Sequence, residues 1–379
     1  MNALPRSDRM YANSSSSDIE FIDQSVLIIK NSPCNTKYMT NPAVSILIPT
    51  YEPNKNHLIA ALDSILAQTE QRFLVLIHDD ASEINVEGMV KPYLNDPRFR
   101  FVRSEKRRGI GGNWNECLQV MAKGQGPRAN VSYVQFLFQD DLWHPTYLEQ
   151  SLEIMGNDSS IGFTAAHHRY ETDGGMELPE GYRELEDIRS DVGAYGHTPL
   201  QDGKHNGKEF LKQWAKSGLC PNLIGEPSFV MMRRFLVEDT GFFREDMQQG
   251  LDVEYWIRLL PKTNWYFIQE SLGTFRVHAD SASTRHEAAG IGLFDRLRCL
   301  ERLLQELPPS EKSEVRHQIA SHIGQMVQKF FHRRSSGKKT SGDGWRWFLG
   351  FCMRHPLVML LALRRYNVHD SHLLKTEKI

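Results

Sequence analysis

The sequence predicts an α/β fold with a helical C-terminal extension. Between residues 44 and 139, short apolar runs alternate with stretches in which apolar residues recur every three or four positions. Such alternation is typical of a sheet of mainly parallel strands covered by helices. The chain has 379 residues, which is enough for a full α/β domain and a smaller helical part. After about residue 286 the pattern becomes helical alone.

The predicted strands of the first half are, in order, VSILIPT, FLVLIHD, RFRFVRS and YVQFLFQ. Helices are predicted between them, and the first and third of these carry apolar stripes at helical spacing. The stripes consist of Leu58, Leu62, Ile65 and Leu66 in the first helix and of Trp114, Cys117, Leu118 and Met121 in the third. We interpret both stripes as core that packs on the sheet.

The composition excludes several classes of protein. The chain has 45 Lys+Arg against 47 Asp+Glu and a formal net charge of −2, so no overall charge favours nucleic acid as a partner. Its five cysteines form no C-x-x-C pair, which argues against a zinc site or a disulfide framework and favours a reducing compartment. No apolar run approaches the roughly 20 residues of a spanning helix. We therefore predict a cytoplasmic protein, or one bound peripherally at the inner face of the cytoplasmic membrane.

Two adjacent carboxylates follow the fourth strand, at Asp140 and Asp141 in LFQDDLWHP. Bare charges at the end of a buried strand need a cation, a proton or a hydrogen-bonding ligand. Oxygen ligands favour Mg²⁺ or Mn²⁺, and such ions are commonly shared with substrate phosphates. Taken alone, the pair could also be a solvated acidic loop.

Polar residues follow each of the other predicted strands as well. In open α/β sheets, ligands bind beyond the carboxyl ends of the strands, so these residues should share one rim. They are Thr50, Tyr51 and Glu52 after the first strand, Asp79 at the end of the second, and the glycine-rich segment that starts at Gly109 after the third. Each could be ordinary turn chemistry when taken singly. The glycine segment matches neither a dinucleotide fingerprint nor a P-loop.

Taken together, these motifs resemble the family 2 glycosyltransferases, which have the GT-A fold. The resemblance covers roughly residues 43–285 and rests on VSILIPTYEP, LDSILAQT, LIHDDAS, GIGGNWNECL and LFQDDLWHP in that order. It implies a Rossmann-like mixed sheet flanked by helices. It also implies an inverting transfer of a sugar from a nucleotide-diphosphate sugar, most simply a UDP- or dTDP-sugar, to a carbohydrate or lipid-linked carbohydrate acceptor in surface polysaccharide or glycolipid synthesis.

The resemblance also implies roles for individual residues. Asp79 should meet the base, Asp140 the ribose, and Asp141 the metal ion. The full nucleotide-sugar site would comprise Pro49, Thr50, Tyr51, Glu52, Asp79, Asn113 and Asp140. Many relatives have Arg-Asn where this chain has Trp114-Asn115, so Arg107 or Arg108 would have to supply the missing positive charge.

Downstream, Asp252 lies near the start of a predicted helix in QQGLDVEYWIRLL. The helix dipole should favour its ionised form, and on its own it could be a helix cap. The resemblance implies that Asp252 is the catalytic base, although Leu251 stands where relatives often have a second acid, and Glu254 is an alternative base. His278, in the strand-like segment LGTFRVH, could ligate the ion, contact the diphosphate or be a surface residue.

The remaining predictions concern organisation. We expect a flexible leader at residues 1–42, the transferase domain at 43–285, a helical extension at 286–334, and a basic linker with an amphipathic segment at 335–379. That segment could lie on a membrane interface, dock on the body or form a dimer. Trp143 and Trp256 could border the acceptor site or belong to the core. A catalytically silent nucleotide-sugar binder and a sugar nucleotidyltransferase are the alternative functions.

Overall fold

A computed structural model describes residues 26–27, 42–123, 131–173, 177, 200–278, 292–335, 342–356, 358–360 and 362. Most of the predicted leader and of the basic linker lies outside these residues, as does the predicted domain limit at residue 285. The strands are β1 (Val26–Leu27), β2 (Val44–Thr50), β3 (Phe73–Asp79), β4 (Phe99–Ser104), β5 (Tyr133–Phe136), β6 (Leu142–Trp143), β7 (Ile161–Thr172), β8 (Gly203–Asn206), β9 (Val230–Arg233) and β10 (Asn264–Val277).

The helices follow the pattern expected from the sequence. They are α1 (Lys55–Leu66), α2 (Val86–Val90), α3 (Gly109–Ala122), α4 (Tyr147–Asn157), α5 (Gly207–Lys216), α6 (Arg234–Thr240), α7 (Leu251–Leu259), α8 (Gly292–Glu306), α9 (Lys312–Ser335) and α10 (Gly342–Arg354). Helix α1 begins where the Asn54 side chain accepts hydrogen bonds from the backbone N–H groups of Asn56 and His57.

The strands form one mixed sheet in the order β1-β4-β3-β2-β5-β9-β7-β10-β6, with β8 added beside β10. Strands β4, β3, β2 and β5 are mutually parallel, as predicted. Strand β9 is antiparallel to both of its neighbours, β5 and β7, and β10 is parallel to β7. Because the two reversals cancel, β7 and β10 run in the same direction as β2 to β5. Their carboxyl ends therefore reach the same edge of the sheet.

A hydrophobic core lies on each face of this sheet. Successive side chains of a strand point to opposite faces, so Ile46 and Ile48 of β2 pack toward α1, α2 and α4. Leu47, between them, packs on the opposite side with α3, α5, α7 and α8. The alternating burial explains why β2 has no exposed face and reads as a continuous apolar run.

The C-terminal helix α10 docks on the body. Phe348 and Phe351 are buried in the second of these cores, and Arg354 and His355 both contact Glu301 of α8, the latter through an Nε2–Oε1 distance of 2.9 Å. Docking is thus the arrangement seen for the described part of the segment. On its outer side, Leu349 and Met353 are 62% and 79% exposed. Among the described helices, none combines the length and apolarity needed to cross a membrane.

Candidate functional site

The carboxyl ends of β2, β3, β5, β7 and β10 bring polar residues from distant parts of the chain to one edge. Tyr51 and Asp79 come from the first two of these strands, Asp140 from the loop after β5, Asp173 from the end of β7 and His278 from the end of β10. This edge is where an open α/β sheet binds its ligands. It is the candidate site.

Asp79 is fully buried at the base of the site. Its Oδ1 accepts a hydrogen bond from the Ser82 hydroxyl, its Oδ2 accepts one from the Ser82 backbone N–H at 3.2 Å, and Arg103 lies 3.1 Å from Oδ2. Burial raises the pKa of Asp79, and Ser82 and Arg103 oppose that shift. The carboxylate is therefore held in one orientation by groups of the protein.

The backbone beside Asp79 is strained. Glu52 and Ala81 have positive φ angles of 45° and 57°, which non-glycine residues rarely adopt. The Ser82 hydroxyl accepts a hydrogen bond from the Glu52 N–H at 2.8 Å and so ties the two loops together. Strain of this kind persists only where the surroundings fix it, and it is common at functional sites.

Three residues predicted to contact the nucleotide are instead buried beneath the rim. Pro49 and Thr50 lie inside β2, and Asn113 is 4% exposed. The Asn113 amide donates to the Thr50 carbonyl at 3.1 Å, while its oxygen lies 2.7 Å from Nδ1 of His78. The side chains of these three residues face the interior and position the loops above them. Their place around the nucleotide stays a prediction.

Tyr51 and Arg107 form the accessible part of the rim. Gln139 brackets the Tyr51 backbone, accepting from its N–H at 2.9 Å and donating to its carbonyl at 3.2 Å. The Arg107 guanidinium stacks on the Tyr51 ring, 4.0 Å from its centroid. Arg108 instead pairs with Glu116 at 3.3 Å. Of the two arginines proposed to replace the missing positive charge, Arg107 is thus the one at the rim.

Asp140 lies between two histidines. Its Oδ1 is 3.5 Å from Nδ1 of His57, in the first turn of α1, and its Oδ2 is 3.4 Å from Nε2 of His278. Burial disfavours the Asp140 carboxylate, but the contacts with His278 and His57 outweigh it and lower its pKa to about 2. One ligand atom from each residue lies within 4.8 Å of the others, an arrangement that could hold a metal ion. His57 Nδ1 and Asp140 Oδ1 are also buried without a hydrogen-bond partner, which fits a site for a cation.

Asp141 does not face the histidines. Its Oδ2 accepts a hydrogen bond from Ser228 at 2.5 Å, and its Oδ1 accepts one from the Arg276 backbone N–H at 3.3 Å. Burial raises its pKa well above the ordinary range, and the charges of Asp140 and Glu226 act in the same direction. The geometry therefore favours Asp140, rather than Asp141, as the carboxylate that accompanies His278.

Asp252 occupies the second position of α7 and is not its cap, because Gly250 caps this helix with a φ of 69°. Its Oδ2 accepts a hydrogen bond from the Asn222 amide at 2.7 Å. Burial, followed by the charge of Glu226, raises the pKa of Asp252 to about 7, although the backbone N–H groups of the helix start and Asn222 oppose the shift. The helix terminus thus does not keep this group at an ordinary acidic pKa, contrary to the expectation from the dipole.

Two other acids near Asp252 have different environments. Glu254 is completely buried and is paired with Arg258 at 2.9 Å and with Arg302 at 3.0 Å. Because Arg302 belongs to α8, these ion pairs help to hold α7 against α8. Glu226, which precedes β9, lies 2.8 Å from His168 and raises the pKa of both Asp141 and Asp252 through its charge. Glu226 therefore lies within electrostatic range of Asp141 and of Asp252.

Sequence reasoning missed His57, Asp173 and Glu226. No motif marks any of them, since each reaches the site only through the packing of distant elements.

Trp143 and Trp256 belong to the core, with 4% and 0% exposure. The core alternative was therefore the right one for both tryptophans.

Comparisons with known proteins are consistent with this geometry. The family model described as glycosyl transferase family 2 matches residues 45–240. An uncharacterized protein of Mycobacterium tuberculosis is 32% identical over 74% of this chain and 80% of its own length. An uncharacterized glycosyltransferase of Rickettsia typhi is 23% identical over 87% of this chain and 94% of its own length.

A solved structure shares the fold. The crystal structure of S. aureus TarS 1-349 in complex with UDP-GlcNAc is similar with a TM-score of 0.52 and 14% identity, covering 74% of this chain and 72% of that one. The mixed sheet flanked by helices is thus of the GT-A type. Because the family model spans more than half of the sequence, this chain belongs to glycosyl transferase family 2 and is a glycosyltransferase.

Proposed function

We propose that the site transfers a sugar, with inversion, from a nucleotide-diphosphate sugar to a hydroxyl group of a carbohydrate acceptor. The observation that carries the proposal is Asp252. Its carboxyl has a pKa of about 7, and the charge of Glu226 raises the pKa both of Asp252 and of Asp141, which lies at the edge of the sheet. A general base works best when its pKa is near the working pH, and this supports Asp252 in that role.

In the proposed reaction, the ionised Asp252 takes the proton of the acceptor hydroxyl. The hydroxyl oxygen then bonds to the anomeric carbon from the side opposite the nucleotide, and the bond from that carbon to the diphosphate oxygen breaks. The nucleoside diphosphate leaves with the bonding electrons. A single displacement of this kind inverts the configuration and needs one base but no covalent nucleophile.

The donor binds, on this proposal, along the rim from Tyr51 and Arg107 to Asp140. Asp79, fixed by Ser82 and Arg103, would accept a hydrogen bond from the base. The bound UDP-GlcNAc in the TarS structure supports a nucleotide-sugar donor for this fold. A UDP- or dTDP-sugar is our proposed donor class.

A divalent ion, Mg²⁺ or Mn²⁺, would neutralise charge on the leaving diphosphate when bound. Asp140 and His278 are positioned to hold it. That Asp140 meets the ribose and Asp141 holds the ion remains a prediction from the resemblance. The side-chain directions favour the ion at Asp140 instead, because both Asp141 oxygens accept hydrogen bonds from the fold.

For the acceptor, we propose a carbohydrate or lipid-linked carbohydrate of surface polysaccharide synthesis. The outward-facing Leu349 and Met353 of α10 support a peripheral contact with a membrane that carries such an acceptor.

The proposal is tested by following nucleotide release and product configuration. The full chain is incubated with Mn²⁺ and with UDP-, dTDP- and GDP-sugars, water serving as the acceptor where no other is known. Nuclear magnetic resonance, recorded before mutarotation, should show a free sugar with the opposite anomeric configuration to the donor. Retention of configuration would refute the single displacement. Nucleotide binding without any turnover would instead favour the alternative function, a catalytically silent nucleotide-sugar binder.

A further inference from the structure

The side chains of His57, Asp140 and His278 form a cluster that could bind a metal ion with protein ligands alone. A pair of acids would instead need substrate phosphates to complete the coordination. The members of the cluster come from three elements, the first turn of α1, the loop after β5 and the end of β10. All three side chains are mostly buried, with 12%, 21% and 17% exposure respectively. The Asp140 oxygens lie 3.5 Å from His57 Nδ1 and 3.4 Å from His278 Nε2. Neighbouring ligands of a metal ion are roughly 3 Å apart when their bonds to it are about 2.1 Å long, so the observed distances are only slightly longer.

The orientation of the His57 ring is fixed from outside the cluster. Its Nε2 lies 2.9 Å from Oδ2 of Asp173, which follows β7. A proton on Nε2 satisfies that contact and leaves the Nδ1 lone pair directed at Asp140. A carboxylate that holds one ring nitrogen while the other faces an ion is the usual environment of a metal-binding histidine.

Two of the atoms inside the cluster, one from His57 and one from Asp140, have no hydrogen-bond partner among the described residues. His57 Nδ1 and Asp140 Oδ1 are buried, and neither makes a hydrogen bond to the described residues. When the ring proton of His57 points toward Asp173, its Nδ1 and the Asp140 Oδ1 both direct lone pairs at each other. A cation between the two atoms would remove this repulsion.

From this geometry we propose that the chain holds a transition-metal ion through His57 Nδ1, Asp140 and His278 before any nucleotide binds, with Asp173 as a positioning residue. The inference deepens the proposed donor site and rests on it for the role of the ion. Two imidazoles and one carboxylate favour Mn²⁺, Co²⁺ or Zn²⁺ over Mg²⁺, which prefers oxygen ligands and retains its water. The ion would therefore be resident and selected by the protein, not carried in with the substrate.

The test measures metal binding to the full chain without nucleotide. Free Mn²⁺ is followed by electron paramagnetic resonance during titration, and the bound ion is examined by electron spin-echo modulation for coupling to imidazole nitrogen. The wild type should bind one Mn²⁺ per chain with coupling to two nitrogens, and excess Mg²⁺ should displace it poorly.

Two variants localise the effect. His57→Gln should weaken Mn²⁺ binding at least tenfold and remove one nitrogen coupling. Asp173→Asn, at a side chain that is 44% exposed, should weaken it by about 10–100-fold. The controls are His144→Gln, an exposed histidine in the nearby loop, and Asp158→Asn, a partly exposed acid paired with Lys204. Both should bind Mn²⁺ as the wild type does.

The outcomes separate this inference from the proposed function. If Mn²⁺ binds only together with a nucleotide, or if His57→Gln and Asp173→Asn bind it as tightly as the wild type, the resident site is refuted while the donor site stands. If Mn²⁺ binds without nucleotide through two nitrogens but no nucleoside diphosphate binds afterwards, the metal site stands and the proposed function fails.

Discussion

Replacing Asp252 with asparagine should remove activity and stabilise the fold at the same time. The variant keeps the size of the side chain, and its amide oxygen can still accept from Asn222. It removes the base, so transfer should fall by about 10²–10⁴-fold. Donor binding should be nearly unchanged, because Asp252 lies at the start of α7 and not on the rim formed by Tyr51 and Arg107.

The stability effect follows from the raised pKa. A carboxyl whose pKa is about 7 in the fold and 3.8 otherwise binds its proton more tightly when folded. The wild type therefore loses stability as pH rises from about 4 to about 7, and the loss stays constant above that. The shift corresponds to at most about 4 kcal/mol, and less in practice because Asp252 is partly accessible to solvent.

The assay compares unfolding midpoints of the wild type and Asp252→Asn between pH 4.5 and 8, together with donor binding and sugar transfer. The midpoint of the variant should exceed that of the wild type by an amount that grows up to pH 7 and is then flat. Asp239→Asn, an exposed acid paired with Lys262, is the matched control and should show no such trend. A variant that loses donor binding and transfer equally, or whose stability difference does not change with pH, would refute the assignment.

Three further predictions concern other residues of the site. Glu226→Gln removes a charge that raises the pKa of Asp252, so the acidic limb of the pH–rate profile should move to lower pH; an unmoved limb would mean that Asp252 does not set it. Asn113→Ala leaves Nδ1 of His78 without its partner, although the Thr50 carbonyl still accepts from the Asp80 N–H, and should lower the free energy of unfolding, measured in urea, by about 1–3 kcal/mol. Arg107→Ala should weaken nucleotide binding roughly tenfold or more, as loss of a charged hydrogen bond does, and unchanged affinity in a calorimetric titration would exclude Arg107 from the donor site.

The strands and the edge of the sheet could be predicted from the sequence because both have local signals. Strand β2 is buried on both faces and therefore appears as an unbroken apolar run. Polar residues directly after such runs mark the edge where ligands bind. The glycosyltransferase resemblance added the mixed sheet, whose reversal at β9 has no local signal of its own.

The direction of individual side chains could not be predicted. Asp140 and Asp141 are adjacent, yet the loop turns the first toward His57 and His278 and the second toward Ser228. The sequence does not indicate which way each carboxyl points, because the partners come from elsewhere in the chain. His278 follows β10, and Ser228 lies in the segment before β9. Asn113 likewise reads as a loop residue, but packing of α3 against β2 and β3 buries it.

The central claim, a donor site for a nucleotide-diphosphate sugar that works with a divalent ion, is tested most directly by thermal stability in the presence of ligands. A ligand that binds only the folded chain must raise its unfolding midpoint. The midpoints of the wild type and of Asp140→Ala and Asp141→Ala are measured with UDP, dTDP, GDP and CDP, each with and without Mn²⁺. We expect a shift for one nucleotide that depends on Mn²⁺ and is lost in Asp140→Ala. If no nucleotide shifts the wild type under either condition, the donor site assigned to this edge of the sheet is wrong.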